Sequence, residues 1–228
     1  VGYASHAEGA ANKAYGHYSH TEGILNITGL NTTNNQAIAP HAEGYKTEAS
    51  GNYSHTEGSE TKAQGIASHA EGSKNTSSGE TSHAEGSNNI ASGVDSHVEG
   101  SNNKASHKAS HVEGQGNETS SNYQHIQGKY SNKYESSNYA LIVGNGENDT
   151  NRSNAYTLDW NGNGWFAGDI KVGGNQASEG SSVELKSNKT TSINPDTDIT
   201  ETTKYPNVSA IVELYTKDND TRVSQTVP

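Results

Sequence analysis

Apolar side chains are sparse along this chain, and over its first two-thirds they form no helical stripe. Small and polar residues alternate instead. In "SHAEG" (Ser5–Gly9), an extended backbone turns His6 and Glu8 to one face and Ser5, Ala7 and Gly9 to the other. The pattern recurs at His6, His20, His41, His55, His69, His83, His97, His111 and His125, every 14 residues except for 21 between His20 and His41. The acidic position holds Glu8, Glu22, Glu43, Glu57, Glu71, Glu85, Glu99 and Glu113, then Gln127. A glycine follows each time, from Gly9 to Gly128. Ten residues after the histidine a second glycine recurs (Gly16, Gly51, Gly65, Gly79, Gly93), with a small residue two positions before it.

A period of 14 is too short for a helical pair, and Ser, Thr, Asn and Gly are poor helix formers. Two short strands joined by two tight turns fit the length. The spacing therefore predicts an all-β parallel roll, each coil adding one rung to two sheets. Rungs about 4.8 Å apart make nine coils roughly 40 Å long. The small Ser/Ala/Gly face is expected inside and the His/Glu face outside, with glycines supplying backbone angles other residues resist. The middle residue grows from Ala70 and Ala84 to Val98, Val112 and Ile126, so the interior widens toward the C-terminal end. Positions four to seven after the histidine vary and read as a solvated face. His107 stands where preceding coils have Gly93 and Gly79, which predicts a strained turn unless the turn opens. The seven extra residues of the long interval are expected to bulge around Leu25–Ile38. Asn26, Thr28, Asn31, Asn34 and Asn35 are its candidate contacts for a receptor or glycan.

Only 28% of the 228 residues are hydrophobic. Composition alone would read as disorder, but a strict repeat supplies order by stacking. A net charge of -11 and the lack of a basic patch with interleaved aromatics argue against nucleic acid and anionic membranes as partners. With no Cys, disulfides and thiolate metal sites are excluded. No apolar run reaches the length of a membrane span, so membrane insertion is not expected. The chain starts inside a repeat and reads as a piece of something longer.

Constancy of His and Glu within one chain argues that the outward face packs against something. A column of Glu alone would repel itself. Three copies around an axis would let His donate to Glu across the subunit boundary, which predicts a homotrimer with this ladder on its axis. Nothing in the spacing demands a metal, and no cofactor is expected. Catalysis is not expected either: a uniform ladder has no distinct acid and nucleophile, and Ser5 faces away from His6.

These S-H-A-E-G repeats with a following A-x-G resemble the head repeats of trimeric autotransporter adhesins, over about residues 3–146. The resemblance implies a left-handed parallel β-roll that works only as a trimer, with the SHAEG strand at the subunit interface. Pro40 for the leading Ser, Gln127 for Glu and His107 for Gly are the departures. Similar repeats also occur in phage tail proteins.

Three regions are expected. Residues 1–146 form the roll, capped by the apolar "YALIVGNG" (Tyr139–Gly146). Residues 147–176 carry an aromatic β-hairpin around Asn161–Gly162, with Tyr156, Trp160, Trp165 and Phe166. Its Asp159, Asn161, Asn163 and Gly164 imitate the start of a calcium loop, but the twelfth position is Ile170, which argues against one. Residues 177–228 form a polar linker, with a short strand near Val183–Lys186, and a helix at about 206–217 whose stripe is Val208, Ile211, Val212 and Tyr215. The hairpin and the "YPNVSAIV" segment resemble phage tail proteins. The resulting expectation is a non-enzymatic trimeric fibre in a virion tail, contacting a host-surface glycan or protein and other tail proteins. A bacterial surface adhesin and a polysaccharide-degrading tailspike are the alternatives.

Overall fold

The structure, a computed structural model, describes residues 2–30, 37–133, 136–168, 211–214 and 223–226. The chain divides into a unit at Val1–Lys171 and a second at Val172–Pro228. The first is the parallel β-roll that the period of 14 predicts. Each coil contributes a strand opening on the motif histidine to a 12-stranded sheet, and the first seven add a strand such as Lys62–Ala63 or Ile90–Ala91 to a 7-stranded sheet. Pairing is parallel and in register: His55 lies against His69, His69 against His83, and His83 against His97. Every residue therefore sits over its counterpart one coil away.

The interior is as small as composition demands. Ala42, Ala70, Ala84, Val98, Val112 and Ile126 in one sheet and Ala49, Ala63, Ala91 and Ala105 in the other are fully buried. The expected widening is present: the apolar cluster runs through Val98, Val112 and Ile126 to Ile142. The motif serine closes a corner. The hydroxyls of Ser54, Ser68, Ser82 and Ser96 donate to the carbonyls of Gly51, Gly65, Gly79 and Gly93 at 2.7–2.8 Å.

Two expectations about the interior are corrected. The glycine after Glu is not inside. Gly58, Gly72 and Gly86 are exposed, at φ of +96°, +92° and +93°. Position six after the histidine, read as solvated, is buried instead. Asn26, Asn75, Asn89, Asn103 and Asn117 fill it, with Thr47 and Thr61 between. The Asn89 amide donates to the carbonyls of Glu85 and Gly100, and its Oδ1 accepts from the Asn103 backbone N–H. Turning outward at the glycine swings the next residues back across the roll, so the period-2 rule holds only for the strand. A backbone bend without paired strands must satisfy its polar groups some other way, and an amide with two donors and an acceptor does so in each coil that carries Asn there.

The second glycine column has a different cause. Gly65 and Gly79 have no positive φ, but a Cβ on Gly79 would lie 2.0 Å from the Gly93 carbonyl oxygen. Close stacking, not backbone angle, excludes a side chain there. His107 escapes because the coil above it departs from the regular path: Lys104–Ala105 is the last strand of the second sheet. His107 is not among the left-handed residues, so the predicted strain is absent, and its Nδ1 lies 3.3 Å from the Thr119 hydroxyl.

The long interval keeps its first half regular. Ile27–Thr28 pairs with Lys13–Ala14 and Glu48–Ala49, and His17 bridges Ile38. The seven extra residues thus fall between Gly29 and Ala37. Residues 31–36, with the candidate contacts Asn31, Asn34 and Asn35, lie outside the described residues.

Tyr139–Asn145 covers the edge of the last coil, pairing parallel with His125–Lys129. Asn154–Asp159 and Gly164–Phe166 then form the predicted hairpin and extend the same sheet. Asp159 anchors the turn, its Oδ1 accepting from the N–H of Asn161 and Asn163. The side-chain and backbone hydrogen bonds from Asn163 hold its carboxyl below the usual range.

In the second unit the helix expected at about 206–217 is corrected over its described part. Ile211–Leu214 is a strand, antiparallel to Val223–Thr226. Ile211 and Val212 are β-branched and favour extended backbone, while a helix this short is marginal without a packed face. The predicted strand near Val183–Lys186, the linker around it, Val208 and Tyr215 lie outside the described residues.

Two outcomes follow. Gly79→Ala should lower stability in urea unfolding by more than about 3 kcal/mol. Gly162→Ala, at φ +87° with open space around it, should cost only about 1 kcal/mol. Asn89→Ala should cost about 2–4 kcal/mol by the same measurement, because three backbone groups lose their partner at once.

Candidate functional site

The in-register stack brings all the predicted ladder residues onto one face. From His20 to His125 the imidazoles stack with centroids 4.7–5.0 Å apart and planes within 9° of parallel. His6, in the outermost strand, is tilted by 56°. The Glu column runs beside the rings, and six of its carboxylates, those of Glu8, Glu43, Glu57, Glu71, Glu85 and Glu113, reach toward the histidine of the following coil. Glu57 and Glu71 lie 3.3 Å from the Nε2 of His69 and His83, and Glu43, Glu85 and Glu113 lie 3.6–3.7 Å from those of His55, His97 and His125. These ladder side chains are 32–41% exposed. Seven imidazole Nε2 atoms, in His41, His55, His69, His83, His97, His111 and His125, are nevertheless buried without a hydrogen-bond partner. The face is half-buried in a single chain and its polar groups are incompletely matched there.

Beside the Glu column the exposed glycines leave bare backbone, so a shallow trough runs along the roll. One stretch is lined by Glu8, Glu22, Glu43 and Glu57, another by Glu85, Glu99, Glu113, Gln127 and Val143.

Stacked carboxylates cannot all ionise alike. Burial and hydrogen bonds with Glu99 and Glu71 push Glu85 up to about 7. The hydrogen bond to Glu99, then burial, raises Glu113. Burial acts against the charge of Glu71, but hydrogen bonds with Glu85 and Glu57 outweigh it and hold that carboxyl below its ordinary value. Hydrogen bonds from Glu113 and Glu85 lower Glu99. Along this stretch Glu85 and Glu113 thus hold a proton more tightly than Glu71 and Glu99 do. Burial, then neighbouring imidazoles, lowers His41 and His111, favouring the neutral form of those two rings.

The ladder face continues past the histidines, which the sequence reading missed. In the sheet register His125 is followed by Leu141 and Leu158, and Gln127 by Val143, Tyr156 and Phe166. The Tyr156 and Phe166 rings lie 4.6 Å apart, and Phe166 is exposed. The ladder therefore ends in an apolar patch on the same face. A signal was available: "LIVG" repeats the "HIQG" of the last motif, with Gly144 paired to Gly128.

The receptor-contact expectation is corrected at two residues. Asn26 and Thr28 are fully buried. Asn26 belongs to the asparagine column, its amide donating to the Gly44 carbonyl at 2.7 Å, and the Thr28 hydroxyl lies 2.8 Å from that of Thr21. Neither reaches a ligand. Both sit in the regular half of the interval, before the extra residues begin.

Neither models of known protein families nor the curated proteins give a match to this chain.

The proton held by Glu85 has a checkable consequence. The folded chain keeps that proton to about pH 7, while the unfolded chain loses it near pH 4.5. Glu85 therefore removes stability as pH rises through that window. Glu85→Gln should melt higher than the unaltered chain above pH 7, and the gap should close by about pH 4.5. Calorimetry across this range would measure it. An equal gap at both ends would refute the shared proton.

Proposed function

We propose that this chain is a subunit of a homotrimeric, non-enzymatic fibre that serves as a structural and host-attachment part of a phage or phage-derived tail. The observation that carries the trimer is the unbroken face described above. Seven buried Nε2 atoms lack a partner on it, and in register it runs into Leu141, Val143, Tyr156, Leu158 and Phe166. A solvated face would have no reason to stack imidazoles in register or to end in apolar rungs. A second and third copy supply what it lacks. Partner carboxylates and waters complete the imidazoles, and the apolar rungs of three chains form a small shared core.

The rest follows from the shape of the roll. Its backbone ladder is stiff, its interior is closed, and any loop leaving a coil is presented three times around the axis. Weak contacts of such loops with a host-surface glycan or protein gain avidity together. The resemblance of the hairpin and the "YPNVSAIV" segment to phage tail proteins favours a virion tail over a bacterial surface.

Light scattering on the whole chain should give three times 24.1 kDa, and Leu141→Lys with Val143→Lys should shift the population toward a single chain. A monodisperse 24.1 kDa particle would end the trimer reading. Labelled fibre that decorates no bacterial envelope preparation would count against attachment while leaving the trimer standing.

A further inference from the structure

The interior face of the roll continues onto the hairpin. In the sheet register Ile126 is followed by Ile142, Thr157 and Trp165. The buried isoleucine column thus runs on as a hydroxyl and then an indole. Trp165 is 56% exposed. Next to Phe166 in its strand, it faces the other way, away from the face that meets sister chains in the proposed trimer. A cavity of about 490 Å³ opens beside it, lined among others by Tyr139, Arg152, Ser153, Asn154, Thr157 and Trp165. That is the size of a small-molecule site.

Two further observations point to the kind of ligand. Thr157 is 2% exposed, and its hydroxyl has no hydrogen-bond partner. Thr47 and Thr56 share that condition, but they are closed inside the coils, whereas Thr157 lines the cavity. The second observation concerns charge. Among the described residues, Arg152 is the one charge in the lining, and its guanidinium is already committed. It donates to the carbonyls of Gly116 and Ser131 and pairs with Asp149. Hydroxyls, an amide and aromatic rings make up the rest, a set that suits an uncharged ligand.

We infer that this end of the roll binds a neutral sugar residue, with Trp165 as the plate under its ring and Thr157 and Asn154 as hydrogen-bond partners at its edge. A pyranose ring has a face of C–H groups and a rim of hydroxyls. The exposed indole buries the face. Hydroxyls and amides both donate and accept, as the rim requires. Rotation about χ1 exchanges the Thr157 hydroxyl with its methyl group, which turns the hydroxyl to the cavity. The Asn154 amide is already oriented, its Oδ1 accepting from the Asn132 N–H at 2.8 Å. Tyr139 packs against the buried apolar cluster and holds the cavity wall. The site lies within one chain and rests on the attachment reading only for the origin of the sugar.

Methyl glycosides of glucose, galactose, mannose, rhamnose and N-acetylglucosamine are the probes, titrated into the whole chain. The chain has two Trp, so Trp160→Phe leaves Trp165 as the single indole, and its fluorescence reports the cavity alone. At least one glycoside should shift that emission to the blue and shield it from acrylamide. By calorimetry, Trp165→Ala should weaken binding about tenfold or more. Thr157→Val should weaken it about fivefold without lowering the melting temperature, because it removes an unmatched hydroxyl. The site is overturned if no glycoside moves the emission, or if either variant binds unchanged. It is equally overturned if Trp165 is shielded from acrylamide before any sugar is added, since the chain or a sister copy would then cover it. Light scattering and envelope decoration report on the trimer and on attachment separately.

Discussion

One constraint governs this molecule: each coil lies directly over the last, in register, at the spacing of a β-ladder. Whatever a residue does in one coil, its counterpart must do beside it. Stacking multiplies every local choice. A carbonyl that approaches too closely for a Cβ does so in every coil, which yields a column of glycine. A bend with unpaired backbone groups recurs, which yields a column of asparagine. A corner needing one more donor yields a column of serine. The apolar interior can then be almost entirely alanine, because hydrogen bonding along the columns supplies what a large hydrophobic core supplies elsewhere.

The same multiplication creates the problem on the ladder face. Imidazoles stack well, being flat. Carboxylates at one rung spacing do not, and they relax by holding protons unequally, as the opposed behaviour of Glu71, Glu85, Glu99 and Glu113 illustrates. Shared protons and, in the proposed trimer, sister chains are two answers to one electrostatic need. They are compatible, because a proton bridges neighbouring carboxylates while a sister chain meets the imidazole nitrogens. The imidazole nitrogens want a partner, and the carboxylates want positive charge.

The apolar rungs after His125 give the face a direction. In the proposed trimer, polar pairing along most of the length would set register between copies, and a small hydrophobic patch at one end would favour burial. An exposed apolar surface would be a liability on a lone rod. Confined to one end and rimmed by a polar ladder, it has the layout of an interface with a greasy centre and a polar margin.

Periodicity by itself determined the coil length, the parallel pairing, the inward Ala/Val/Ile column and the membership of the ladder, because a repeat of 14 with fixed small residues admits few closed backbones. It also located the hairpin, through Asn161–Gly162. Tertiary structure alone decided what lies between the strands. Alternation governs extended backbone only, so once the chain bends at the exposed glycine, its rule could not place Asn89 inside. The reason for Gly79 was equally hidden: its φ is ordinary, and the obstacle is an atom of the next coil. Asn26 and Thr28 look like loop residues in the sequence and are core residues in the roll, since only pairing with neighbouring coils shows where the insertion begins. Ile211–Leu214 followed β-branched preference and strand pairing over a stripe that suited a helix. The apolar end of the ladder required the register itself, because Leu141 and His125 share a face only after the chain has gone once more around.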